Sequence, residues 1–436
     1  MTRLDDLAAF VCGASAGALP DDERAIQRRH VVDTVVAAVA GQRCRETAAL
    51  APLFGDRIED RIAKLAASIR LTEIDDIHLP SCTTPSSVVM PVALGLAVED
   101  ESRRSRVADA LWVGTEIMTR FGTAVRGPDI LYREVWPTYL CAPLTAAATA
   151  ARLLGLSPKQ TTHALSIALT LSSGGSGRFR QELSPRWLLQ ACAVRDGIVA
   201  AKAAQQGFAG DGGLLDREWL KESHGIDLDI ATFLDGIGEM LSAYAGLSIK
   251  PYCSAKQPMA AVEALRQIAT SGVAVDSIRS VIVRVPAAYS SMIGGPIDPN
   301  NRATTFASVR YQMALTLFRP DSLYDVVREA MPLDERMKRF MEMVTIERDD
   351  ALAAEYPRCW PGKVVVDAGG QTIARTVLDA PGDPGARLDD LAVADKAARV
   401  LDPTVGTEAR TDWIKAASDA LGGSRDAWKR LKMLVF

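Results

Sequence analysis

The chain has 436 residues, of which 48% are hydrophobic, so it is long enough to bury the cores of two domains. Its 50 basic and 54 acidic residues give a net charge of −4, which provides no overall field to attract nucleic acid or an anionic membrane surface. Any site for an anionic ligand must therefore be local.

The N-terminal residues, MTRLDDLAAF, include acids where a signal peptide would carry its apolar stretch, so we expect no export. The longest apolar runs, 31–40 and 88–98, are shorter than the roughly 18 residues that a membrane span requires. The seven cysteines are scattered singly without a CxxC pair, which is typical of reduced thiols. We therefore expect a cytoplasmic protein with neither a membrane nor a nucleic-acid partner.

From residue 3 to about residue 270 the apolar residues recur with helical spacing, and alanine and leucine are abundant. The segments 146–156 and 190–208 are examples, and their many small side chains allow neighbouring helices to approach closely. The sequence therefore predicts a large helical domain over residues 1–269.

The pattern changes near residue 277, where SIRSVIVRVP alternates apolar and polar residues as a half-buried strand does. The pair Gly369-Gly370 lies between two alternating runs within residues 363–382, which predicts a β-hairpin. Helical patterns at 303–318 and from residue 321 lie between these strands. Helices mixed with strands indicate an α+β arrangement.

We therefore predict a second, α+β domain over residues 270–400, so that the fold as a whole is mainly α with an α+β second domain. A helical pattern returns in the C-terminal segment 401–436. Because a short isolated helix is marginal in water, we expect this segment to pack back onto the helical domain.

None of the four histidines pairs with another histidine or with a cysteine at the spacing of metal ligands. The glycine-rich fingerprints of dinucleotide and nucleotide sites are also missing from the sequence. We therefore expect neither a bound metal nor an organic cofactor.

Residues 73–89 contain three acids and a histidine within six positions, ahead of a loop with two prolines. Asp75 or Asp76 could simply cap the turn that follows. Alternatively, Asp76 and His78 could exchange a proton with a substrate near neutral pH. The sequence leaves both interpretations open.

Residues 172–187 place Arg178, Arg180 and Arg186 after a glycine-rich stretch in an otherwise apolar domain. Glycine turns expose backbone N–H groups, and arginine binds a carboxylate through two parallel hydrogen bonds, so these residues could hold a substrate anion. A surface turn with solvated arginines fits the sequence equally well.

Two further segments contain side chains that could move a proton. Lys250 and Lys256 lie in SIKPYCSAKQ, just before a predicted helix, where a desolvated lysine could act as an electrophile or proton donor. Tyr311 lies in ASVRYQMA, where its phenol could donate a proton. Solvated loop lysines and a core tyrosine are the alternatives.

Taken in order, many segments of the chain resemble the MmgE/PrpD family, whose members include 2-methylcitrate dehydratase, cis-aconitate decarboxylase and iminodisuccinate epimerase. The resemblance extends over essentially the whole chain. The segments are VVDTVVAAVAG (31–41), IDDIH, TPSSVVMPVALGLA (84–97), VGTEIMTRFG (113–122), WPTYLCAPLTAAATAARLLGL (136–156), RDGIVAAKAAQQGFAGDGGLL (195–215), IKPYCSAKQ, ASVRYQMAL, VTIERDDAL and WPGKVVVDAGG with the following APGDP.

This resemblance implies a helical domain completed by the C-terminal tail, a smaller α+β lid domain, an active site between the two and a homodimer. It also implies roles for particular residues. Asp75 and Asp76 correspond to the acidic pair of the family, Lys250 to the lysine of its KPY motif and Tyr311 to its lid-domain tyrosine, all facing the substrate.

The sequence departs from the family pattern at several polar positions. Thr84 and Trp136 stand where the HPS and HPT motifs of the family have histidine. Arg186 stands at a lysine position of the family. The family's KPY motif is usually followed by a histidine, and this chain has Ala255 or Met259 near that position instead. Trp136 also indicates a pocket that is less polar than a tricarboxylate requires.

His78 could partly replace the missing histidines, while Arg186 keeps a positive charge but cannot give up a proton. We therefore predict a cofactor-independent lyase, of dehydratase or decarboxylase type, that abstracts a proton next to a carboxylate of a small organic acid. Asp76 or His78 would be the base, and Tyr311 or Lys250 the proton donor. The remaining predicted substrate-binding residues are Asp75, Thr84, Trp136, Arg178, Arg180, Arg186 and Lys256.

Two alternatives to a lyase remain open. A proton returned to the opposite face of the carbon would give an epimerase of a dicarboxylate. The missing histidines motivate the other alternative, which is a non-catalytic relative that binds an acid or a partner protein, or a pathway-specific member that acts on an unusual biosynthetic intermediate.

Overall fold

The computed structural model describes residues 1–175, 185–239, 243–298, 301–328 and 333–436. The described residues form two compact units. The first unit consists of the described parts of 1–175, 185–247 and 401–436, and the second of those of 248–400.

The helices are α1 (Arg3–Gly13), α2 (Asp21–Gly41), α3 (Arg45–Leu50), α4 (Ile58–Arg70), α5 (Ser86–Glu99), α6 (Val107–Ala124), α7 (Gly127–Leu131), α8 (Pro137–Leu154), α9 (Pro158–Thr170), α10 (Pro185–Gln205), α11 (Trp219–His224), α12 (Ile230–Leu234), α13 (Met259–Thr270), α14 (Ala287–Ile293), α15 (Arg302–Thr305), α16 (Val309–Phe318), α17 (Glu335–Glu342), α18 (Asp350–Ala353), α19 (Asp390–Val405), α20 (Thr407–Ala420) and α21 (Arg425–Lys432). The strands are β1 (Ile77–His78), β2 (Leu247–Ser248), β3 (Ile278–Val285), β4 (Val344–Arg348), β5 (Gly362–Ala368) and β6 (Gln371–Val377).

Helix α8 is the centre of the first unit, and α5, α6, α9 and α10 pack around it. Small residues allow this close packing, as the sequence predicted. A Cβ atom on Gly197 of α10 would lie only 2.3 Å from the carbonyl oxygen of Pro143 in α8. Likewise, a Cβ atom on Gly114 of α6 would lie 2.3 Å from Oγ1 of Thr149. At these two glycines, α10 and α6 pack so closely against α8 that no side chain would fit between the helices.

The C-terminal segment belongs to the same compact unit as the N-terminal helices. Helix α20 packs on α2, and α21 packs on α5. Trp428 of α21 is fully buried, which supplies the apolar contact that a helix of this length needs to be stable.

The second unit contains a four-stranded sheet with the strand order β4-β3-β5-β6. Strands β3 and β4 are parallel, whereas β3 with β5 and β5 with β6 are antiparallel. The alternation of β3 is confirmed because Val281, Val283 and Val285 are buried on one face. Helix α13 packs on β5 and β6. Mainly helical structure with one small mixed sheet confirms the predicted fold class.

The predicted hairpin is confirmed. Strands β5 and β6 pair from Gly362 with Val377 to Ala368 with Gln371. Gly369 and Gly370 form the two-residue turn with φ values of 59° and 81°. Two successive positive φ values are the geometry that glycine accepts without a steric cost.

The predicted helices between the strands are partly wrong. The helix expected over 303–318 is divided into α15 and α16, because the Ser308 side chain accepts the backbone N–H of Tyr311 and begins a new helix. The helix expected from residue 321 is only a 3₁₀ turn, Pro320–Leu323, within the described residues. Strand β4 was not predicted, because its five residues include charged and exposed side chains.

The two compact units divide at residues 247 and 248, earlier than the boundary expected at residue 270. The difference arises from α13, whose helical periodicity is as strong as that of the preceding helices but whose buried face covers the sheet. Helical spacing shows that a helix is amphipathic and does not show which core it covers. No helix in the described parts of the chain is long and apolar enough to cross a bilayer.

The close contact of α8 with α10 gives a testable prediction. Gly197→Ala should destabilise the protein by about 1 to 3 kcal/mol, because the added methyl overlaps a backbone oxygen that cannot move away, and this outweighs the better helix propensity of alanine. The matched control is Gly13→Ala in α1, where a Cβ atom meets nothing within 4 Å. Urea unfolding measures both variants, and equal stability of Gly197→Ala and wild type would contradict the packing.

Candidate active site

The acidic segment found in the sequence connects α4 to β1, and its carboxylates are buried. Glu73, Asp75 and Asp76 are each no more than 2% exposed. Glu73 also has a φ of 54°, which a residue with a side chain adopts only under local constraint. A buried carboxylate is costly unless cations or N–H and O–H donors surround it. The partners of each carboxylate therefore define the site.

Asp76 is fixed by two neighbouring elements. At the start of α5, the Ser86 N–H donates to Oδ1 at 3.1 Å and the Ser86 hydroxyl donates to Oδ2 at 2.5 Å. From α2, Nδ1 of His30 lies 3.2 Å from Oδ2. Since a carboxylate can only accept, this geometry places the ring proton of His30 on Nδ1. A carboxylate at a helix N-terminus is also stabilised by the helix dipole.

Asp76 accepts a backbone N–H from the first turn of α5, as a capping residue would, but it is 1% exposed and so does not lie at a solvated helix end. Capping does not exclude proton transfer, because the same carboxylate contacts an imidazole. His30 was not predicted as a site residue. The available signal was weak, because Gln27 and His30 share one face of a helix whose first half carries many other charged side chains.

Asp75 and Glu73 belong to a separate cluster of buried charges. Nη1 of Arg70 lies 3.3 Å from Asp75 and 3.0 Å from Glu73. Burial alone would lower the pKa of Arg70, but these two carboxylates raise it above its usual value. Arg186 of α10 donates to Glu73 at 3.0 Å. The guanidinium of Arg186 therefore already binds a carboxylate of the chain.

Trp136 covers this cluster. The guanidinium carbon of Arg186 lies 4.0 Å from the centre of the Trp136 ring, and Trp136 stacks on Tyr139 with ring centres 5.7 Å apart. The predicted substrate-binding residues Trp136, Arg186 and Asp75 are thus close to one another within the first unit. Arg186 binds Glu73 and lies on the Trp136 ring, whereas Asp75 binds Arg70.

Thr84 lies beside this region and is also held by the protein. Its N–H donates to Oγ1 of Thr138 at 3.1 Å, and its hydroxyl lies 3.0 Å from Oγ of Ser87. Arg178 and Arg180, the other predicted anion-binding residues, lie outside the described residues.

His78 is enclosed by its own loop. Its Nδ1 accepts the N–H of Ser81 at 3.3 Å and lies 2.8 Å from the Ser81 hydroxyl. A Cβ atom on Gly246 would lie 2.3 Å from Nε2, so the backbone of residue 246 presses on the other side of the ring. Burial lowers the pKa of His78 to about 3, although the nearby Asp76 opposes this. His78 is therefore a neutral imidazole that braces the loop.

In the second unit, the two lysines of the predicted site have different surroundings. Lys250 is 1% exposed, as a desolvated lysine would be. Lys256 donates to both oxygens of Asp383, the second at 2.6 Å. Asp383 also accepts the Ser248 hydroxyl and the N–H of Ala380. The prediction that Lys256 binds substrate is thus corrected, because its charge is neutralised by a buried carboxylate.

Tyr311 of α16 is buried in the core of the second unit. Burial raises the pKa of its phenol, and the positive charge of Arg328 opposes this effect. At neutral pH the phenol therefore keeps its proton. This state is the one that a proton donor requires.

Comparison with known proteins identifies two family domains. Residues 60–223 match the MmgE/PrpD N-terminal domain, and residues 252–420 match the MmgE/PrpD C-terminal domain. Among the described residues, no group of three or more histidine, cysteine, aspartate or glutamate side chains is arranged to hold a metal ion.

Two similar proteins come from Aspergillus species. The chain is 32% identical over 158 residues to the cis-aconitate decarboxylase-like protein oryM of Aspergillus oryzae (strain ATCC 42149 / RIB 40), which covers 35% of this chain and 33% of that protein. It is 29% identical over 161 residues to cis-aconitate decarboxylase of Aspergillus terreus, covering 35% of this chain and 32% of that protein. The match thus spans about a third of the length of these relatives.

The contact of Lys256 with Asp383 predicts a structural effect. Lys256→Met should destabilise the protein by about 3 to 5 kcal/mol, because it leaves the buried Asp383 carboxylate without a cation. The double variant with Asp383→Asn should recover a large part of this loss, since no buried charge is then left unpaired. Chemical denaturation of Lys256→Met, Asp383→Asn and the double variant measures the coupling, and a fully stable Lys256→Met would contradict it.

The low pKa of His78 predicts how stability changes with pH. Between its ordinary pKa of 6.5 and about 3, the unfolded chain binds a proton at His78 that the folded protein does not. The free energy of unfolding should therefore decrease as the pH falls below 6.5, with a contribution from this group of up to about 1.4 kcal/mol per pH unit.

Denaturation of wild type and His78→Asn at several pH values between 4 and 7 tests this effect. The measured quantity is the slope of the free energy of unfolding against pH, because the loss of a contact lowers this free energy at every pH without changing the slope. His78→Asn should show the shallower slope, and parallel curves would contradict the assigned pKa.

Proposed function

Because this chain belongs to the MmgE/PrpD family, we propose that it is a lyase of the dehydratase or decarboxylase type that acts on a small carboxylic acid. The observation that carries this proposal is the buried carboxylate of Asp76, held between His30 and the N-terminus of α5. Such a group can exchange a proton with a carbon next to a carboxylate while its position is fixed.

Decarboxylation is the first reaction to test, since the similar fungal proteins are named as cis-aconitate decarboxylases or as resembling them. In that reaction a carboxylate leaves as carbon dioxide, and its electron pair stays on the neighbouring carbon. That carbon then takes a proton, which Asp76 would deliver in its protonated form. In a dehydration, Asp76 would instead remove a proton from carbon as the hydroxyl leaves.

The structure supports Asp76 as the proton-transfer group in preference to His78. The His78 ring is neutral, is hydrogen-bonded to Ser81 and packs directly against the backbone of Gly246. His30 contacts Asp76 directly and supplies the imidazole that we had expected at His78. Of the two bases expected from the sequence, Asp76 or His78, we therefore propose Asp76, with His30 as its imidazole partner.

The substrate should carry fewer charges than a tricarboxylate. Arg186 is neutralised by Glu73 and covered by Trp136, so it offers no free charge to a further carboxylate. Lys250 remains our candidate for the cation that stabilises negative charge in the reaction, and Tyr311 for a proton donor. Neither the protonation of carbon after decarboxylation nor the removal of a proton in dehydration requires a metal or an organic cofactor.

The experiment that tests this function is NMR in D₂O with a panel of small acids, including cis-aconitate, citrate-like acids, succinates and amino-dicarboxylates. We expect deuterium to enter a C–H next to a carboxylate. The accompanying product would show whether carbon dioxide, water or only a change of configuration results. No exchange and no product with any acid would overturn the proposal.

Asp76→Asn should reduce the rate by about 100-fold or more, because the amide keeps the shape of the side chain but cannot exchange the proton. The matched control is Asp109→Asn on α6, which removes a partly buried carboxylate that pairs with Arg152. This control should keep the wild-type rate. Equal rates for Asp76→Asn and wild type would exclude Asp76 as the proton-transfer group.

A further inference from the structure

Arg328 is a buried cation of the second unit that forms no ion pair with a described residue. It is 5% exposed, which is close to the values of 4% for Arg70 and 2% for Lys256. Those two side chains bind carboxylates of the chain, as buried cations usually do. A buried charge without a counter-charge is costly. Arg328 is therefore in a position to bind an anion from outside the chain.

The hydrogen bonds of Arg328 involve one side of its guanidinium group. Nη1 donates to the carbonyl oxygens of Ser322 and Asp325, the second at 3.4 Å. Nη2 is buried and has no partner in the part of the chain that the structure describes. Nε and Nη2 form an edge through which an arginine can bind a carboxylate with two parallel hydrogen bonds. The two carbonyl oxygens satisfy N–H groups but carry no full charge, so they do not neutralise the guanidinium.

Tyr311 of α16 provides a second buried donor beside Arg328. Burial raises the pKa of its phenol, and Arg328 lies close enough to oppose that rise. The Tyr311 hydroxyl, like Nη2 of Arg328, nevertheless has no partner in ordinary hydrogen-bond geometry among residues 1–175, 185–239, 243–298, 301–328 and 333–436. A phenol that keeps its proton and a guanidinium can both donate. A negatively charged group can therefore accept hydrogen bonds from both side chains at once.

The turn that Arg328 holds also contacts the segment that contains Lys250. Leu323, at the end of the 3₁₀ turn, accepts the backbone N–H of Cys253 at 2.9 Å. Cys253 follows Lys250 in the sequence KPYC, and it also influences the phenol of Tyr311 electrostatically. Arg328, Tyr311 and the segment 250–253 are thus neighbours within the second unit.

We infer that Arg328 and Tyr311 form a carboxylate-binding site, in which Arg328 anchors one carboxylate of the substrate and the Tyr311 hydroxyl donates a hydrogen bond to it. The identity of the ligand as a small carboxylic acid rests on the proposed function. A water molecule would satisfy the remaining N–H groups but would leave the positive charge uncompensated, so the surroundings favour an anion. Because Nη2 and the hydroxyl are shielded from solvent, an anion reaches them only with a small movement of neighbouring side chains.

This site supplies a cation for the substrate that the other candidates lack. Arg186 and Lys256 are neutralised by carboxylates of the chain. One arginine that binds one carboxylate suits an acid with fewer charges than a tricarboxylate. It also places the carbon next to that carboxylate near the phenol of Tyr311, as a proton donor requires. Sequence patterns did not indicate Arg328, because an arginine in a stretch with helical spacing is ordinarily solvated.

The site can be tested without any reaction by chemical denaturation of the full chain in the presence of succinate. Succinate is a plain dicarboxylate, and sodium chloride of equal ionic strength is the reference salt. A ligand that binds only the folded protein raises its free energy of unfolding, and the dependence on succinate concentration gives the affinity. Each variant is compared with itself in sodium chloride, so a loss of intrinsic stability does not imitate a loss of binding.

We expect succinate to stabilise the wild type. Arg328→Gln should weaken its binding by about 10- to 100-fold, the effect of losing hydrogen bonds to a charged group, and Tyr311→Phe by about fivefold. Arg328→Lys keeps the charge without the paired donors and should have an intermediate affinity.

The matched control is Arg310→Gln on α16. Arg310 is also partly buried, and it donates to the carbonyl oxygens of Val344 at 3.0 Å and Gly294 at 3.3 Å. Its replacement removes a similar number of structural hydrogen bonds next to Tyr311 in the sequence, but it should leave the affinity for succinate unchanged.

The site is overturned if succinate does not stabilise the wild type, if it stabilises Arg328→Gln equally, or if Arg310→Gln loses as much affinity. Should Arg328→Gln fail to fold, Arg328→Lys and Tyr311→Phe decide by the same comparison.

If the panel of acids yields a substrate, Arg328→Gln should raise KM by about 10- to 100-fold with a smaller change in kcat, a division that a merely structural role would not produce. An unchanged KM would overturn the site and leave the proposed function standing. If succinate binds through Arg328 but no acid reacts, the proposed function fails and the site stands.

Discussion

The first unit is organised around the cost of burying carboxylates. Three acids within four residues, Glu73 to Asp76, are withdrawn from water, and each must find donors or cations in the interior. Arg70 and Arg186 are drawn to Glu73, while His30 and Ser86 are drawn to Asp76. These partners come from four different helices, so the acidic segment ties α2, α4, α5 and α10 together.

The same requirement acts in the second unit, where Asp383 is fully buried. Its carboxylate accepts from Lys256, Ser248 and the N–H of Ala380, so the loop after β6 is fastened to the segment before α13. Removing one member of such a set leaves a charge that water cannot reach. In both units, then, the polar residues with the greatest influence on local structure are those with the least exposure.

Much of the fold could be predicted from the sequence because it depends on local periodicity. The helices, strand β3 and the Gly369-Gly370 hairpin follow from spacing and from backbone requirements. The place of α13 and the existence of β4 could not be predicted, because each depends on which distant surface the segment covers.

The candidate site, too, could be predicted only in part from the sequence. The acidic segment and Lys250 stand out as polar residues in an apolar sequence, and the structure buries them. The partner of Asp76, however, is 46 residues away, and the partner of Lys256 is 127 residues away. No local pattern encodes such pairings. Arg186 and Lys256 could therefore be recognised as unusual cations, but their binding to Glu73 and Asp383 required the three-dimensional structure.

The contact between Gly246 and the His78 ring has a consequence for how this chain can change over evolutionary time. Any side chain at position 246 would collide with the imidazole, so a substitution there requires the His78 ring to move or to be exchanged for a smaller side chain. A smaller residue at 78, in turn, leaves space that a methyl group at 246 could fill. The two positions therefore constrain each other's history, and the order of substitutions decides which sequences can be reached.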